Sequence, residues 1–394
     1  MIPRYIGMDI HKDYAVIATV DRDQEVLLPP SRVEMDQLAE WAAECLTPQD
    51  EVVLEATSNA WPVVDLLRQH ASVVRVANPY QTKLIAQARI KNDKVDALAL
   101  AQLLAARFIP EVWVPQQSVR ENRALAAHRH TLQEQCTQVK NRLHGLLRRH
   151  NLRCPEQGLF STAGLAWLDE QDLPWVEELQ VRHLVSQITF LQDQLDETDR
   201  IIARQSTQDP RVPHLMQLTG VGYFAAFAIL AAIGNIARFP SPGKLAAYAG
   251  LAPGLHQSGN HSYSRPITKE GRSLLRWLLV EVAWSAVRWD DHWRTLYDRI
   301  ARRRGPRIAI VAIARRLLVV IWHLLTDHSA YFYLRPQTYI TKLQQWAYRI
   351  GRDHLPAPNS RQFVLNHLRR LNLPHLADSL TTVHRNGRLS VSPT

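Results

Sequence analysis

Through the first hundred positions, apolar residues either alternate with polar ones or gather in short blocks. Tyr5 to Ile10 and Tyr14 to Val20 read as neighbouring strands, Gln24 to Leu28 as a third, Glu51 to Ala56 as a fourth and Ser72 to Ala77 as a fifth. Between and after them, Met35 to Leu46, Trp61 to His70, Gln81 to Arg89 and Asp93 to Phe108 carry helical spacing. Three early strands followed by alternating helix and strand predict an α/β layer sheet, in the order expected of an RNase H-like fold.

The period changes near Ser118. Leu125, Leu132, Cys136, Val139, Leu143 and Leu146 recur at steps that settle into fours and threes, a coiled-coil seam. A second seam, Val181, Leu184, Ile188, Leu191, Leu195 and Ile202, follows a loop around Pro155 to Pro174. The two helices form an arm that either folds back on itself or pairs two protomers. From about Asp209, Leu218-Thr-Gly-Val-Gly222 opens an Ala-rich helix ending near Gly234, a Gly/Ser-rich loop spans Gly250 to Gly259, and long helices fill Gly271 to Leu325. Beyond Thr326, several prolines, among them Pro336, Pro356, Pro358 and Pro374, with many Arg and His residues predict weakly packed, partly disordered helices. The expected class is therefore α/β plus all-α: a mixed-sheet domain over residues 1–110, a helical arm over 111–207, a mainly helical domain over 208–328 and a basic tail over 329–394.

Charge narrows the partners. Lys and Arg number 47 against 37 Asp and Glu in 394 residues, a formal charge of +10, which favours a polyanion such as DNA or RNA. The three cysteines, Cys45, Cys136 and Cys154, fit neither a disulfide framework nor a zinc cluster, as expected in a reducing compartment. The first residues pass straight into a strand without the pattern of a signal peptide, so a cytoplasmic, nucleoid-associated protein is expected. The apolar stretch Ile308 to Leu325 contains Arg315, Arg316 and His323 and reads as a buried or DNA-facing helix rather than a membrane span.

Two carboxylates interrupt apolar strands. Asp9 lies in Ile6-Gly-Met-Asp-Ile10 and Glu55 ends Val52-Val-Leu-Glu55; leaving even a neutral polar group there without partners costs roughly 2 kcal/mol or more. Asp93 and Asp96, three apart at a helix start, share one face. Four such carboxylates can converge on hard divalent cations, and two Mg2+ ions could bridge a scissile phosphate. Each residue also has an ordinary explanation: Asp93 favours a helix N-terminus, Asp96 is a solvated first-turn acid, and Glu55 pairs with Lys91 or Lys94.

Taken in order, Ile6-Gly-Met-Asp9, Leu54-Glu-Ala-Thr57, Ala77-Asn-Pro79, Lys91-Asn-Asp-Lys-Val-Asp-Ala97, Leu218-Thr-Gly-Val-Gly222 and Gly250-Leu-Ala-Pro253 through Gln257-Ser-Gly259 to Ile267-Thr-Lys269 resemble the DEDD-type insertion-sequence transposases. This is the "IS one-ten" and "IS eleven-eleven" group, related to the Piv DNA invertase. The match runs over roughly residues 4 to 325. Two positions depart from the pattern: Ser58 stands where Gly is common, and Asn92 where Thr is common.

The resemblance implies a RuvC-like domain whose acidic tetrad is Asp9, Glu55, Asp93 and Asp96, and a second domain whose serine nucleophile is Ser258. It also implies a bridge RNA that pairs with donor and target DNA. The implied assembly is a homo-oligomer, a dimer or tetramer, in which the acidic site of one protomer meets the serine of another. Around Ser258, the residues His256, His261, Arg265 and Lys269 could stabilise phosphoryl charge or simply form a solvated basic loop. Gly220 and Gly222 resemble a helix-hairpin-helix turn that lets amides approach a phosphate, or serve an ordinary helix start. Arg302, Arg303 and Arg304, with Arg299 and Arg307 beside them, suit phosphate binding. Two other readings stay open: a Holliday-junction endonuclease using the acids alone, and a non-catalytic nucleic-acid-binding scaffold.

Overall fold

A computed structural model describes residues 3–85, 92–155, 158–258, 261–327, 331, 333–371, 373 and 376, and two short paired strands near the C-terminus. The chain forms two compact units, Met1–Gln116 and Gln117–Thr394.

In the first unit, β1 (Tyr5–Ile10), β2 (Tyr14–Val20), β3 (Val26–Glu34), β4 (Glu51–Glu55) and β5 (Val73–Ala77) form one sheet in the order β3-β2-β1-β4-β5. β1 pairs antiparallel with β2, and β2 with β3, whereas β4 runs parallel to β1 and β5 parallel to β4. The helices are α1 (Leu38–Cys45), α2 (Ala60–Leu67), α3 (Pro79–Ile85) and α4 (Asp93–Ala105). The period-2 pattern sorts the central strands into two faces. Ile6, Met8, Ile10, Val52 and Leu54 pack with Leu38 and Ala42 of α1 and with Val63, Val64 and Leu67 of α2. Tyr5 and Val53, on the opposite parity, pack against Leu100, Ala101 and Leu104 of α4.

The third strand is longer than its sequence pattern predicts. The expected strand ends at Leu28, just before Pro29 and Pro30, but the observed one continues to Glu34, and its pairing with β2 slips between Ile17 and Thr19 where the prolines fall. An edge strand tolerates this because one side of its ladder has no partner to lose. The helices are shorter than their apolar patterns, and residues 86–89 of the expected Gln81 to Arg89 helix lie outside the described residues.

In the second unit, α5 (Gln117–Arg149) and α7 (Trp175–Gln205) flank the short α6 (Thr162–Asp169). Leu132, Cys136, Val139 and Leu143 of the first seam share one core with Val181, Ile188 and Leu195 of the second. Arg129 Nε lies 3.0 Å from Asp199 Oδ1 and Arg149 Nη2 lies 3.5 Å from Glu177 Oε1, so the helices run antiparallel. Of the two arrangements open to the arm, the chain adopts the one that folds back on itself.

The rest of this unit holds α8 (Arg211–Leu215), α9 (Tyr223–Ile233), α10 (Pro242–Tyr248), the hairpin β6 (Pro253–Ser258) and β7 (His261–Ile267), and helices α11 (Ser273–Trp289), α12 (Asp291–Arg304), α13 (Pro306–Asp327), α14 (Pro336–Ile350) and α15 (Ser360–Arg370). The small strands β8 (Thr382–Val383) and β9 (Leu389–Ser390) pair antiparallel. Among the described residues, α13 alone is long and apolar enough to cross a membrane. Its Ala309, Ile310, Ile313, Ala314, Leu317, Leu318 and Ile321 are buried in the helical core, while Arg315 and Arg316 are exposed on the other side. The expectation of weakly packed helices after Thr326 is corrected. Tyr339, Leu343, Trp346 and Ile350 of α14 and Phe363, Val364 and Leu368 of α15 are fully or almost fully buried in that core. Trp346 Nε1 donates to the Ala203 carbonyl at 2.9 Å, and Tyr339 Oη to the Pro213 carbonyl at 3.2 Å.

Candidate metal centre

The site begins with a residue that has no side chain. A Cβ added at Gly7 would come within 2.1 Å of the Ala97 carbonyl oxygen and 2.4 Å of the Ala101 amide nitrogen. Glycine in β1 therefore lets the backbone of α4 lie directly on the strand. The first turn of that helix is thereby brought over Asp9, two residues along β1. Asn92 supplies the N-cap, its side chain accepting from the Lys94 amide at 3.1 Å. Asp93 is thus not needed as the cap.

Asp9, His11 and Asp93 each offer a ligand atom within 4.8 Å of the others. His11 Nε2 lies 3.3 Å from Asp9 Oδ2 and 3.3 Å from Asp93 Oδ2. Tyr14 Oη donates to Asp93 Oδ2 at 3.0 Å, and this bond holds the phenol's pKa above its ordinary value. The Tyr14 ring packs at a tilt against His11, with centroids 4.6 Å apart, and carries the Arg32 guanidinium 3.8 Å above its centre. Burial raises the Asp9 carboxyl above the usual carboxylate range; His11 opposes the shift, and the charges of Asp93 and Asp96 add to it. Among the described residues, no lysine or arginine pairs with Asp9 or Asp93.

Glu55 and Asp96, the other two residues of the expected tetrad, are not part of that group of three. β1 and β4 are in parallel register through Met8 and Leu54, so Asp9 and Glu55, one residue further on, occupy neighbouring positions on the face that α4 covers. Asp96 is half-buried in the first turn of α4 and close enough to Asp9 to raise its pKa. The loop after Glu55 ties the strands together. Asn59 Nδ2 donates to the His11 carbonyl at 2.9 Å, and Thr57 Oγ1 donates to Asn59 Oδ1 at 3.0 Å. Lys91, one proposed partner of Glu55, lies outside the described residues.

Sequence reasoning missed His11, Tyr14 and Asn59. His11 and Tyr14 bracket a tight turn, with the His11 amide donating to the Tyr14 carbonyl at 2.8 Å. Their position two and five residues after Asp9 was the available signal. The donor set fits a divalent cation: two carboxylates and an imidazole nitrogen converge, and among the described residues no lysine or arginine is ion-paired with those carboxylates.

The remaining candidates belong to the second unit. Ser258 ends β6 and is paired in register with His261 of β7; His256 is paired in register with Tyr263, and Arg265 lies within β7. Gly259 lies outside the described residues. Lys269 is exposed and left-handed, with φ of 57°. Gly220 has φ of +87°, and an added Cβ would approach the Val282 carbonyl to 2.7 Å, so its backbone and its packing on α11 require glycine. Gly222 is the N-cap of α9 and has open space where a Cβ would sit. Arg302, Arg303 and Arg304 form an exposed last turn of α12.

Two family models match the chain. A DEDD-type transposase model named for IS110 covers residues 6–152, and one described as "Transposase IS116/IS110/IS902 family" covers residues 212–298. A probable family 20 transposase of Pseudomonas aeruginosa is 26% identical over 340 residues, covering 83% of this chain and 98% of that protein. The transposase of insertion sequence element IS1111A of Coxiella burnetii is 27% identical over 352 residues, 83% of this chain and 91% of the relative. An uncharacterized 42 kDa protein of the insertion element IS900 of Mycobacterium paratuberculosis is 35% identical over 156 residues, 38% of each chain. The first family match contains the whole acidic cluster, and a domain of the DEDD type implies divalent metal. With both matches in chain order and near full-length transposase relatives, the protein belongs to the DEDD-type insertion-sequence transposases of the IS110 and IS1111 group, DNA recombinases.

Proposed function

We propose that this transposase breaks and rejoins double-stranded DNA using Asp9, Glu55, Asp93 and Asp96 as ligands of Mg2+ and Ser258 as the nucleophile. The observation that carries the reading is the approach of Asp93 to Asp9 across the backbone contact at Gly7. The sheet order β3-β2-β1-β4-β5, antiparallel then parallel, supports a RuvC-like, RNase H-like domain over residues 1–110. The helical region over 208–328 is the transposase domain proper.

A divalent ion bound by the carboxylates supplies positive charge to phosphoryl oxygens and acidity to an attacking hydroxyl. The protein's own groups do the rest. The packing of α4 on β1 at Gly7 holds Asp93 close to Asp9 despite their repulsion, and Tyr14 donates a hydrogen bond that orients Asp93. In strand cleavage the Ser258 hydroxyl oxygen gives up its proton and forms a bond to phosphorus as the bond from phosphorus to the departing strand oxygen breaks, and that oxygen takes up a proton in turn. One phosphoester replaces another, so bond energy is kept for rejoining. His256, Arg265 and Lys269 neutralise phosphoryl charge, while Gly220, Gly222 and the arginines of α12 hold the backbone of the nucleic acid. A bridge RNA guides the choice of donor and target, and the serine is supplied to the acidic site by a second copy of the chain.

Ser258→Ala tests the reading directly. It abolishes covalent protein–DNA adducts and strand exchange while DNA binding is retained. Asp9→Asn abolishes both cleavage and Mg2+ binding. Adducts that survive Ser258→Ala remove the serine from the mechanism. Free 5′-phosphate ends in place of protein-linked ends would instead mark a junction endonuclease acting through the acids alone.

A further inference from the structure

We propose that His11 is a nitrogen ligand of the metal ion at this centre, which makes the site a mixed oxygen and nitrogen centre and favours Mn2+ over Mg2+. The proposal rests on the reading of Asp9 and Asp93 as metal ligands.

Three observations converge on the imidazole. Its Nε2 is equidistant, at 3.3 Å, from Asp9 Oδ2 and Asp93 Oδ2. Ligands in adjacent positions of an octahedral ion with bonds of about 2.1–2.3 Å lie about 3 Å apart, close to that spacing. The same nitrogen atom is buried from solvent and forms no well-aligned hydrogen bond with either carboxylate, although its contact with Asp9 opposes the rise in that carboxyl's pKa. A buried ring nitrogen without a well-aligned hydrogen bond, placed between two carboxylate oxygens, is better satisfied by a cation that all three share.

The ring is also held in place before any ion arrives. The His11 amide donates to the Tyr14 carbonyl at 2.8 Å, and the His11 carbonyl accepts from Asn59 Nδ2 at 2.9 Å. The imidazole packs at a tilt against the Tyr14 ring, whose hydroxyl donates to Asp93 at 3.0 Å. One turn thus positions a nitrogen donor and one of its neighbouring carboxylates together, as the supporting partners of metal ligands do.

The chemical consequence follows from ligand character. Carboxylates suit Mg2+ and Mn2+ alike, whereas an imidazole donor adds affinity for transition-metal ions that Mg2+, with its oxygen preference, does not gain. His11→Gln should therefore weaken Mn2+ binding at least about tenfold, the lower bound seen for loss of even an outer-sphere partner, and weaken Mg2+ binding less.

The test uses the full chain with Mn2+ alone as the probe. Pulsed electron paramagnetic resonance of bound Mn2+ is expected to show a nitrogen coupling, which changes on labelling the histidines with 15N and disappears in His11→Gln. The labelling arm needs no substitution and so does not depend on the variant's folding. Mn2+ that binds in an Asp9-dependent manner without any nitrogen coupling overturns the proposal and leaves the acidic centre standing. Mn2+ binding that Asp9→Asn does not diminish overturns both.

Discussion

Gly7 and Ala97 meet backbone to backbone: a methyl group at position 7 would come within 2.1 Å of the Ala97 carbonyl oxygen. No rotamer relieves that clash, because Cβ is fixed by the main chain. Gly7→Ala must displace α4 or lose its packing, at a cost of about 1–3 kcal/mol for overpacking a close contact. Because α4 carries Asp93 and Asp96, metal affinity should fall along with stability. Urea denaturation and calorimetric titration with Mn2+ check the two effects. A variant with unchanged midpoint and unchanged affinity would show that the close approach does not position the acids.

Lys342 offers a pH-dependent test in the second unit. Its Nζ donates to the Met216 carbonyl at 2.9 Å and the Leu218 carbonyl at 2.5 Å, and burial pulls its pKa down to about 7. Below pH 7 the amine is charged in both folded and unfolded chains, so the burial penalty is present in full. Between about 7 and the unfolded value near 10.4, the unfolded chain holds the extra proton, and this group's contribution to stability rises with pH. Lys342→Met removes the titration but strands two carbonyls. The melting temperature of the variant relative to wild type should be most favourable near pH 6 and decline toward pH 10. A flat or rising difference over that range contradicts the assignment.

The last turn of α12 makes a prediction about salt. If Arg302, Arg303 and Arg304 each neutralise a phosphate, replacing all three with Gln should reduce the slope of log binding constant against log salt by about 0.9 for each phosphate left unneutralised, or roughly 3 in all. Fluorescence anisotropy with duplex DNA at several salt concentrations measures it. An unchanged slope would mark these arginines as a solvated surface.

Much of the first unit was legible because its chemistry contradicts its pattern. Asp9 and Glu55 stand out as charges in apolar strands, and their positions on the sheet follow from period-2 alternation alone. His11 and Tyr14 were invisible for the opposite reason: a histidine and a tyrosine at a turn contradict nothing. Only the antiparallel pairing of β1 with β2 reveals that the turn reaches Asp93, 79 residues from Tyr14. The arm's seams were readable as helices, yet an apolar seam does not name its partner; Arg129 with Asp199 settles the antiparallel return. In α14 the prolines and charges obscured a clear helical stripe, Tyr339, Leu343, Trp346 and Ile350, which was present in the sequence all along.

The slipped pairing of β3 has a consequence for solubility. Val26, Leu27 and Leu28 are each about half exposed at the rim of the sheet, the kind of segment on which a neighbouring chain could add a strand. Pro29 and Pro30 follow at once, lacking amide hydrogens where the pairing with β2 slips, so an added ladder would be interrupted there. A protein expressed at high concentration with both prolines replaced should therefore aggregate through its outermost strand.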